Sequence, residues 1–162
     1  MSELLKLTTP KDATVLILDS IIEIKVGTEK VATSESLERV IRKSYHSKSI
    51  LPSFDKSSVD GFSVRAQDTF GVSDSLPQYL KIVGEVSMGK ETELVISEGQ
   101  AATTYTGGML AGDADAVVMI EYTNRIDRDT IEVTKPVAKG ENIVFAGEDI
   151  KPRDEILTSG HT

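Results

Sequence analysis

Pro52-Ser53-Phe54-Asp55-Lys56-Ser57-Ser58-Val59-Asp60-Gly61-Phe62-Ser63-Val64 is the stretch at which the chain changes character. From here onward apolar and β-branched residues alternate with polar ones over short runs, and glycines recur between the runs. That is the pattern of strands separated by turns. Candidate strands are Phe62 to Arg65, Tyr79 to Val86, Glu93 to Ile96, Ala101 to Tyr105, Ala116 to Tyr122 and Thr130 to Val133. The polar run Asn124 to Asp129 joins the last two and reads as a hairpin turn. Ser73-Asp74-Ser75 ahead of Pro77, and Lys139-Gly140-Glu141-Asn142, read as surface loops.

Upstream the spacing is helical. Thr9-Pro10-Lys11-Asp12 has the form of a helix start, with Thr9 as cap, Pro10 at the first helical position and Asp12 as a capping carboxylate. Val15, Leu18, Ile21 and Ile22 then mark one apolar face. A second helix is expected from Ser34, with Leu37, Val40 and Ile41 on one side and Glu38, Arg39, Arg42 and Lys43 largely on the other. The fold class expected is α+β and mostly β.

Bulk properties narrow the function. The 162 residues suffice for one ordinary domain or two small lobes, which is short for an enzyme with a large nucleotide-linked substrate. With 18 basic and 26 acidic residues the net charge is −8, a field that repels nucleic acid, so no nucleic-acid partner is expected. The absence of cysteine removes disulfides, thiolate metal sites and thiol nucleophiles and fits a reducing, cytoplasmic setting. No membrane span or secretory leader is expected, because the apolar run Val15 to Leu18 is too short for either. His46 and His161 stand far from any second imidazole and read as surface residues, not zinc ligands.

Three glycine-bearing segments carry more carboxylates and hydroxyls than turns require. In the first, Asp55 and Asp60 flank the hydroxyls of Ser57 and Ser58, acceptors and donors suited to Mg²⁺ or ordered water. Asp60-Gly61 is equally an ordinary turn, and Ser57 to Asp60 has capping-box spacing. In the second, Thr106 to Val118, successive glycines let the amides of Gly107 and Gly108 and the Thr106 hydroxyl point into one concavity that suits an oxyanion. The bland alternative is a loop before the buried strand Val117 to Ile120, with Asp113 and Asp115 merely solvated. The third, Gly147-Glu148-Asp149-Ile150, offers two carboxylates and is also common turn chemistry.

The order and spacing of these segments resemble the MoeA family of molybdopterin molybdotransferases, which includes the corresponding domain of gephyrin. PSFDKSSVDGFSV from Pro52 is similar to the family's P-x-F-D-N-S-A-M-D-G-Y-A-V, and TGGMLAGDADAVV from Thr106 to its T-G-A-P-L-P-E-G-A-D-A-V-V. Gly147 to Ile150 matches the third signature, preceded by Gly140-Glu141-Asn142-Ile143 in the manner of the family's G-x-N-(V/I). Leu37-Glu38-Arg39-Val40 resembles an L-G-R-V stretch, so the likeness runs over nearly the whole chain. Lys56 departs from an asparagine, Glu38 from a glycine, and Met109 and Ala111 from prolines.

The resemblance implies a two-lobe architecture: residues 1–50 with 143–162 as a helical and mixed lobe, and 51–142 as an inserted β-rich lobe. It implies that the α/β pterin-binding domain and a C-terminal β domain lie outside this chain, which is then inactive alone. The implied reaction inserts molybdenum from molybdate into adenylylated molybdopterin with Mg²⁺ and release of AMP. The implied site is shared across a homodimer with the partner subunit's pterin-binding domain. By position, Asp60 and Thr106 are the implied catalytic residues and Asp60 the implied Mg²⁺ ligand. Ser57, Ser58, Gly107 and Gly108 are assigned to substrate binding, and Asp55 and Asp149 to support. A rival from another class is a non-catalytic dimerisation and interaction scaffold.

Overall fold

A computed structural model of the chain describes residues 7–21 and 26–162. Backbone contacts divide it into two units, one of residues 1–44 with 157–162 and one of residues 45–156.

In the first unit the expected helix forms as α1 (Pro10–Ile21). The Thr9 hydroxyl accepts the Asp12 N–H at 3.2 Å and donates to the Asp12 carboxylate at 2.6 Å, the reciprocal cap read from the sequence. None of its residues is buried, and Val15, Leu18 and Ile21 are each about half exposed; Ile22 lies outside the described residues. The second helix does not form. Thr33–Glu35 makes one 3₁₀ turn, and the chain then runs irregularly through Leu37 and Val40, which are 86% and 66% exposed. A short amphipathic segment is marginal without a surface on which to bury its stripe, and among the described residues none covers Leu37 or Val40. The returning end ties to this stretch instead, with Gly160 N–H donating to Ile41 O at 2.7 Å and Ser159 Oγ to Arg42 O at 2.7 Å.

Glu38, the residue standing where the resemblance has glycine, adopts φ +63. A Cβ is disfavoured there and glycine is not. Glu38→Gly is therefore expected to stabilise the chain by about 0.5–1 kcal/mol after allowance for the looser unfolded chain. Thermal unfolding checks this, and an unchanged or lower midpoint contradicts it.

The second unit holds the β-structure. Its strands are β1 (Tyr45–His46), β2 (Lys56–Ser57), β3 (Gly61–Val64), β4 (Gln78–Glu85), β5 (Gln100–Thr104), β6 (Ala116–Met119), β7 (Thr123–Arg125), β8 (Thr130–Val133), β9 (Ile143–Val144) and β10 (Glu155–Leu157). Six form one sheet in the order β6-β3-β5-β4-β8-β7, while β1 pairs with β10 and β2 with β9. The β4–β5 pair is parallel, and the other described pairings in this sheet are antiparallel.

The period of two sorts side chains onto two faces. On one face Phe62 lies opposite Val118, Val64 opposite Ala116, and Leu80 opposite Ile131, building the larger core. On the other Val86, Ile96, Ala102 and Ala111 form a second cluster. Ser63 and Thr104, both fully buried, satisfy each other through their hydroxyls.

Two expected strands take a different form. Glu93–Ile96 makes only a single parallel bridge, Val95 to Gly112, because the opposing chain turns away at Asp113 with φ +63. The Ala116–Tyr122 strand ends at Met119 and closes as a 3₁₀ turn, Ile120–Tyr122. The hairpin is therefore β7–β8, while β6 crosses to the far edge beside β3.

Candidate functional site

Register alone brings the first two glycine-bearing segments together. Gly61, the first residue of β3, lies opposite Thr104 on β5, so Asp60 just before it comes beside the residues that follow β5. The Asp60 Oδ1 accepts both the Thr106 N–H and the Thr106 hydroxyl, each at 2.8 Å. Its backbone is held as well, by the Ile120 N–H donating to Asp60 O at 3.0 Å. Asp60 is solvent-exposed, and its Oδ2 accepts no hydrogen bond from the described residues.

The Thr106 N–H first, and its hydroxyl second, pull the Asp60 carboxyl below the ordinary aspartate range, against a smaller opposing effect of desolvation. A depressed carboxylate favours the folded state above its unfolded pKa, and that contribution is lost as pH falls through the folded value. Asp60 is thus ionised at neutral pH and into the acidic range.

Gly61 serves this arrangement through space rather than through a turn. A Cβ there would stand 1.9 Å from the Val118 carbonyl oxygen and 2.9 Å from its carbon, and Gly61 does not adopt positive φ. The turn reading of Asp60-Gly61 is replaced by a strand start pressed against β6.

The oxyanion cradle expected of the second segment is corrected. The Gly107 N–H donates to Ser57 O at 2.8 Å and the Gly108 N–H to Tyr105 O at 2.8 Å, while the Thr106 N–H is taken by Asp60. None of the three amides is left to face an anion: one ties the loop to β2, one closes the turn of the loop itself, and one holds Asp60. Ser57 is likewise not a free donor. It is buried, and its hydroxyl donates to Val59 O at 2.6 Å and accepts the Val59 N–H at 3.2 Å. Ser58 is exposed, and its hydroxyl has no partner among the described residues.

The third segment also packs on the first. The Gly147 N–H donates to Pro52 O at 2.9 Å, the Asp149 N–H to Leu51 O at 3.1 Å, and the Ala146 N–H to the Asp55 carboxylate at 2.8 Å. Asp55 thereby fastens one segment to the other. Asp149 presents an exposed side chain with no hydrogen bond among the described residues.

Sequence reasoning missed three residues. Asp115 is not merely solvated: its Oδ1 accepts the Ala66 N–H at 2.7 Å, and Lys139 stands 3.7 Å from its Oδ2. Asn142 sits at φ +61 and donates to Val117 O at 2.8 Å, which holds the 139–142 loop along β6. Tyr105 carried no signal beyond adjacency to Thr106. Both histidines are exposed, as expected.

One cleft, of about 430 Å³, is lined by Asp55, residues 109–115 and Lys139 among others, and does not include Asp60 or Thr106. Among the described residues no three His, Cys, Asp or Glu side chains gather into a metal-binding group. Mg²⁺ nonetheless binds through one or two carboxylates when phosphates and water complete its octahedron. The open Oδ2 of Asp60 fits one such position. No helix among the described residues is long and apolar enough to cross a membrane.

This fold, with its three converging segments, has counterparts among solved structures. The chain superimposes on the molybdopterin biosynthesis moeA protein of Pyrococcus horikoshii with TM-score 0.85 and 37% identity, covering 96% of this chain and 40% of that one. A second solved moeA structure from the same organism gives TM-score 0.72 and 33% identity over 93% of this chain and 38% of that one. The chain belongs to the MoeA family: residues 8–162 match the MoeA N-terminal region, domains I and II. It is 33% identical over 130 residues to the molybdopterin molybdenumtransferase of Staphylococcus aureus, which is 80% of this chain and 31% of that protein. The enzyme of the same name from Bacillus subtilis is 33% identical over 136 residues, 82% of this chain and 32% of that protein. The chain thus spans about a third of the length of these curated relatives.

Proposed function

We propose that the chain forms one wall of a molybdopterin molybdotransferase site, at which molybdate enters adenylylated molybdopterin and AMP is released. The observation that carries this reading is the Asp60 carboxylate, fixed by two hydrogen bonds from Thr106 on one oxygen and open on the other. Asp60 is the residue that meets the reaction, and Thr106 is the residue that positions it.

The electrostatics require an intermediary. Molybdate and phosphate are anions, and an ionised Asp60 repels both. A Mg²⁺ held at Asp60 would supply the positive charge that an anionic substrate needs beside this carboxylate. Asp60 would hold that cation or its water through Oδ2, the oxygen Thr106 leaves open. Ser58 adds an exposed hydroxyl donor, Asp55 holds the neighbouring segment, and Asp149 lends an acidic side chain at the rim. The pterin lies on a separate domain, contributed by the partner subunit of a cytoplasmic homodimer.

The test is an insertion assay on the full-length protein that contains this chain, supplied with adenylylated molybdopterin, molybdate and Mg²⁺. AMP release coupled to molybdenum incorporation is expected, and chelation of Mg²⁺ should abolish both. The 162-residue chain alone should release none. A full-length protein that releases no AMP above the enzyme-free control rejects the proposal.

A further inference from the structure

The segment Gly140-Glu141-Asn142-Ile143 makes no hydrogen bond to Asp60 or Thr106, yet it lies against the loop that carries Asp60. Strand β2 pairs with β9 through Lys56 opposite Val144 and Ser57 opposite Ile143, and the next step along the ladder brings Ser58 to Asn142. There the Ser58 N–H donates to Asn142 O at 3.0 Å.

The other side of Asn142 faces β6. As the end strand of the six-stranded sheet, β6 has one edge on β3 and another that no strand occupies among the described residues. Residues 141 and 142 take that edge at Val117. The Val117 N–H donates to Glu141 O at 3.1 Å, and the Asn142 Nδ2 donates to Val117 O at 2.8 Å. Three residues beyond Val117, directly after β6 ends, the Ile120 N–H donates to Asp60 O at 3.0 Å. The loop is therefore held at Ser58 by Asn142 and at Asp60 by Ile120, and both anchors trace to one strand. Between them Val59 is bonded within the loop, through its N–H and carbonyl to the Ser57 hydroxyl.

The position asks for two properties at once. Its φ of +61 suits glycine or asparagine, and the open carbonyl of Val117 asks for a donor. Glycine meets only the first requirement, whereas the asparagine amide meets both.

We infer that Asn142 is a positioning residue for Asp60, fixing the Ser58–Asp60 loop against β6 so that the carboxylate meets Thr106 in one place. The inference rests on the transferase reading given above. Asn142 acts through the backbone of Ser58 and contributes no group to the reaction itself.

Amide hydrogen exchange on the chain reads the placement of Asp60 directly, because the Thr106 N–H is bonded to its carboxylate and the Ile120 N–H to its carbonyl. Asn142→Gly keeps the backbone angle and deletes the side-chain bond. In it, exchange at Ser58, Thr106 and Ile120 is expected to quicken about fivefold, the scale of one net hydrogen bond. The amides of Lys81 and Val86, bonded to Gly99 O and Thr103 O, should keep their wild-type rates. Asn142→Ala adds a Cβ at positive φ and should quicken the same three amides further; if it fails to fold, the glycine variant still decides. Equal quickening at all five amides marks a purely structural residue, and unchanged rates at Thr106 and Ile120 mark one that does not reach Asp60. Either result overturns the inference.

In the full-length protein, Asn142→Gly should lower kcat for molybdenum insertion about fivefold with KM for adenylylated molybdopterin retained, and should add nothing to the loss in Asp60→Asn. Additive losses overturn the positioning role and leave Asp60 in its own. Insertion at the wild-type rate in Asp60→Asn removes the transferase reading, and the inference with it.

Discussion

Asp60→Asn in the full-length protein is expected to lower molybdenum insertion by roughly a hundredfold or more, the scale on which loss of a preorganised charge-stabilising group is felt. Asparagine keeps an oxygen that accepts both Thr106 hydrogen bonds, so the loop geometry is retained while the charge is lost. Asp60 is exposed, and thermal unfolding should barely move. The defect should deepen at limiting Mg²⁺, because the carboxylate is the group that recruits the cation. Insertion that proceeds at the wild-type rate when Mg²⁺ is scarce removes Asp60 from the reaction.

The pH profile adds an independent check. Thr106 holds the Asp60 carboxyl below its ordinary range through its amide and its hydroxyl. Thr106→Val deletes only the hydroxyl, so the carboxyl rises toward the ordinary value and the acidic limb of the rate profile moves to higher pH. A limb that moves the other way contradicts the assignment.

Gly61→Ala should be the most damaging single methyl in the β-rich unit. The added carbon lies against the Val118 carbonyl and the Met119 Cα, and neither is a side chain that can rotate aside. Overpacking against fixed backbone costs about 3 kcal/mol at the upper end of such substitutions. For a chain of this size that is a fall in thermal midpoint on the order of 10 °C. The comparison with Gly61→Asn decides between two reasons for the glycine. Asparagine tolerates the left-handed backbone of a turn, so a turn glycine accepts it, whereas a glycine demanded by close approach does not. Both variants should lose stability alike, and a mild Asn variant would restore the turn reading. Because Gly61 sets where Asp60 lies against Thr106, the destabilised protein should also lose insertion activity.

Strand positions were largely legible because alternation is a local property: Phe62, Val64, Leu80 and Ile131 declare a buried face by their spacing alone. Strand order was not, since nothing within Ala116–Met119 states that it lies beside Gly61–Val64 across so long a span of chain. Glu93–Ile96 has the composition of a strand and finds a partner only at Gly112, because the opposing chain turns at Asp113. The second helix failed for the same kind of reason, its stripe having no surface to cover it.

At the site, Asp60 and Thr106 were legible through the family motifs, and their contact follows from the register of β3 against β5. The fate of the Gly107 and Gly108 amides was hidden. Glycine permits a backbone to turn outward, and it equally permits the close packing against Ser57 that the loop adopts.

The pairing of β1 with β10 has a bearing on how such a protein is assembled. The β-rich unit starts at Tyr45 and finishes at Ile156, and the Ser47 N–H reaches Asp154 O at 2.8 Å, so both ends emerge side by side. A body whose termini already touch can be carried within a host chain with little loop-closure entropy to overcome. Joining Tyr45 to Ile156 by a few residues and opening the chain at the exposed Ser73–Ser75 loop would rearrange the order of the polypeptide while leaving every strand of the six-stranded sheet beside its present neighbours.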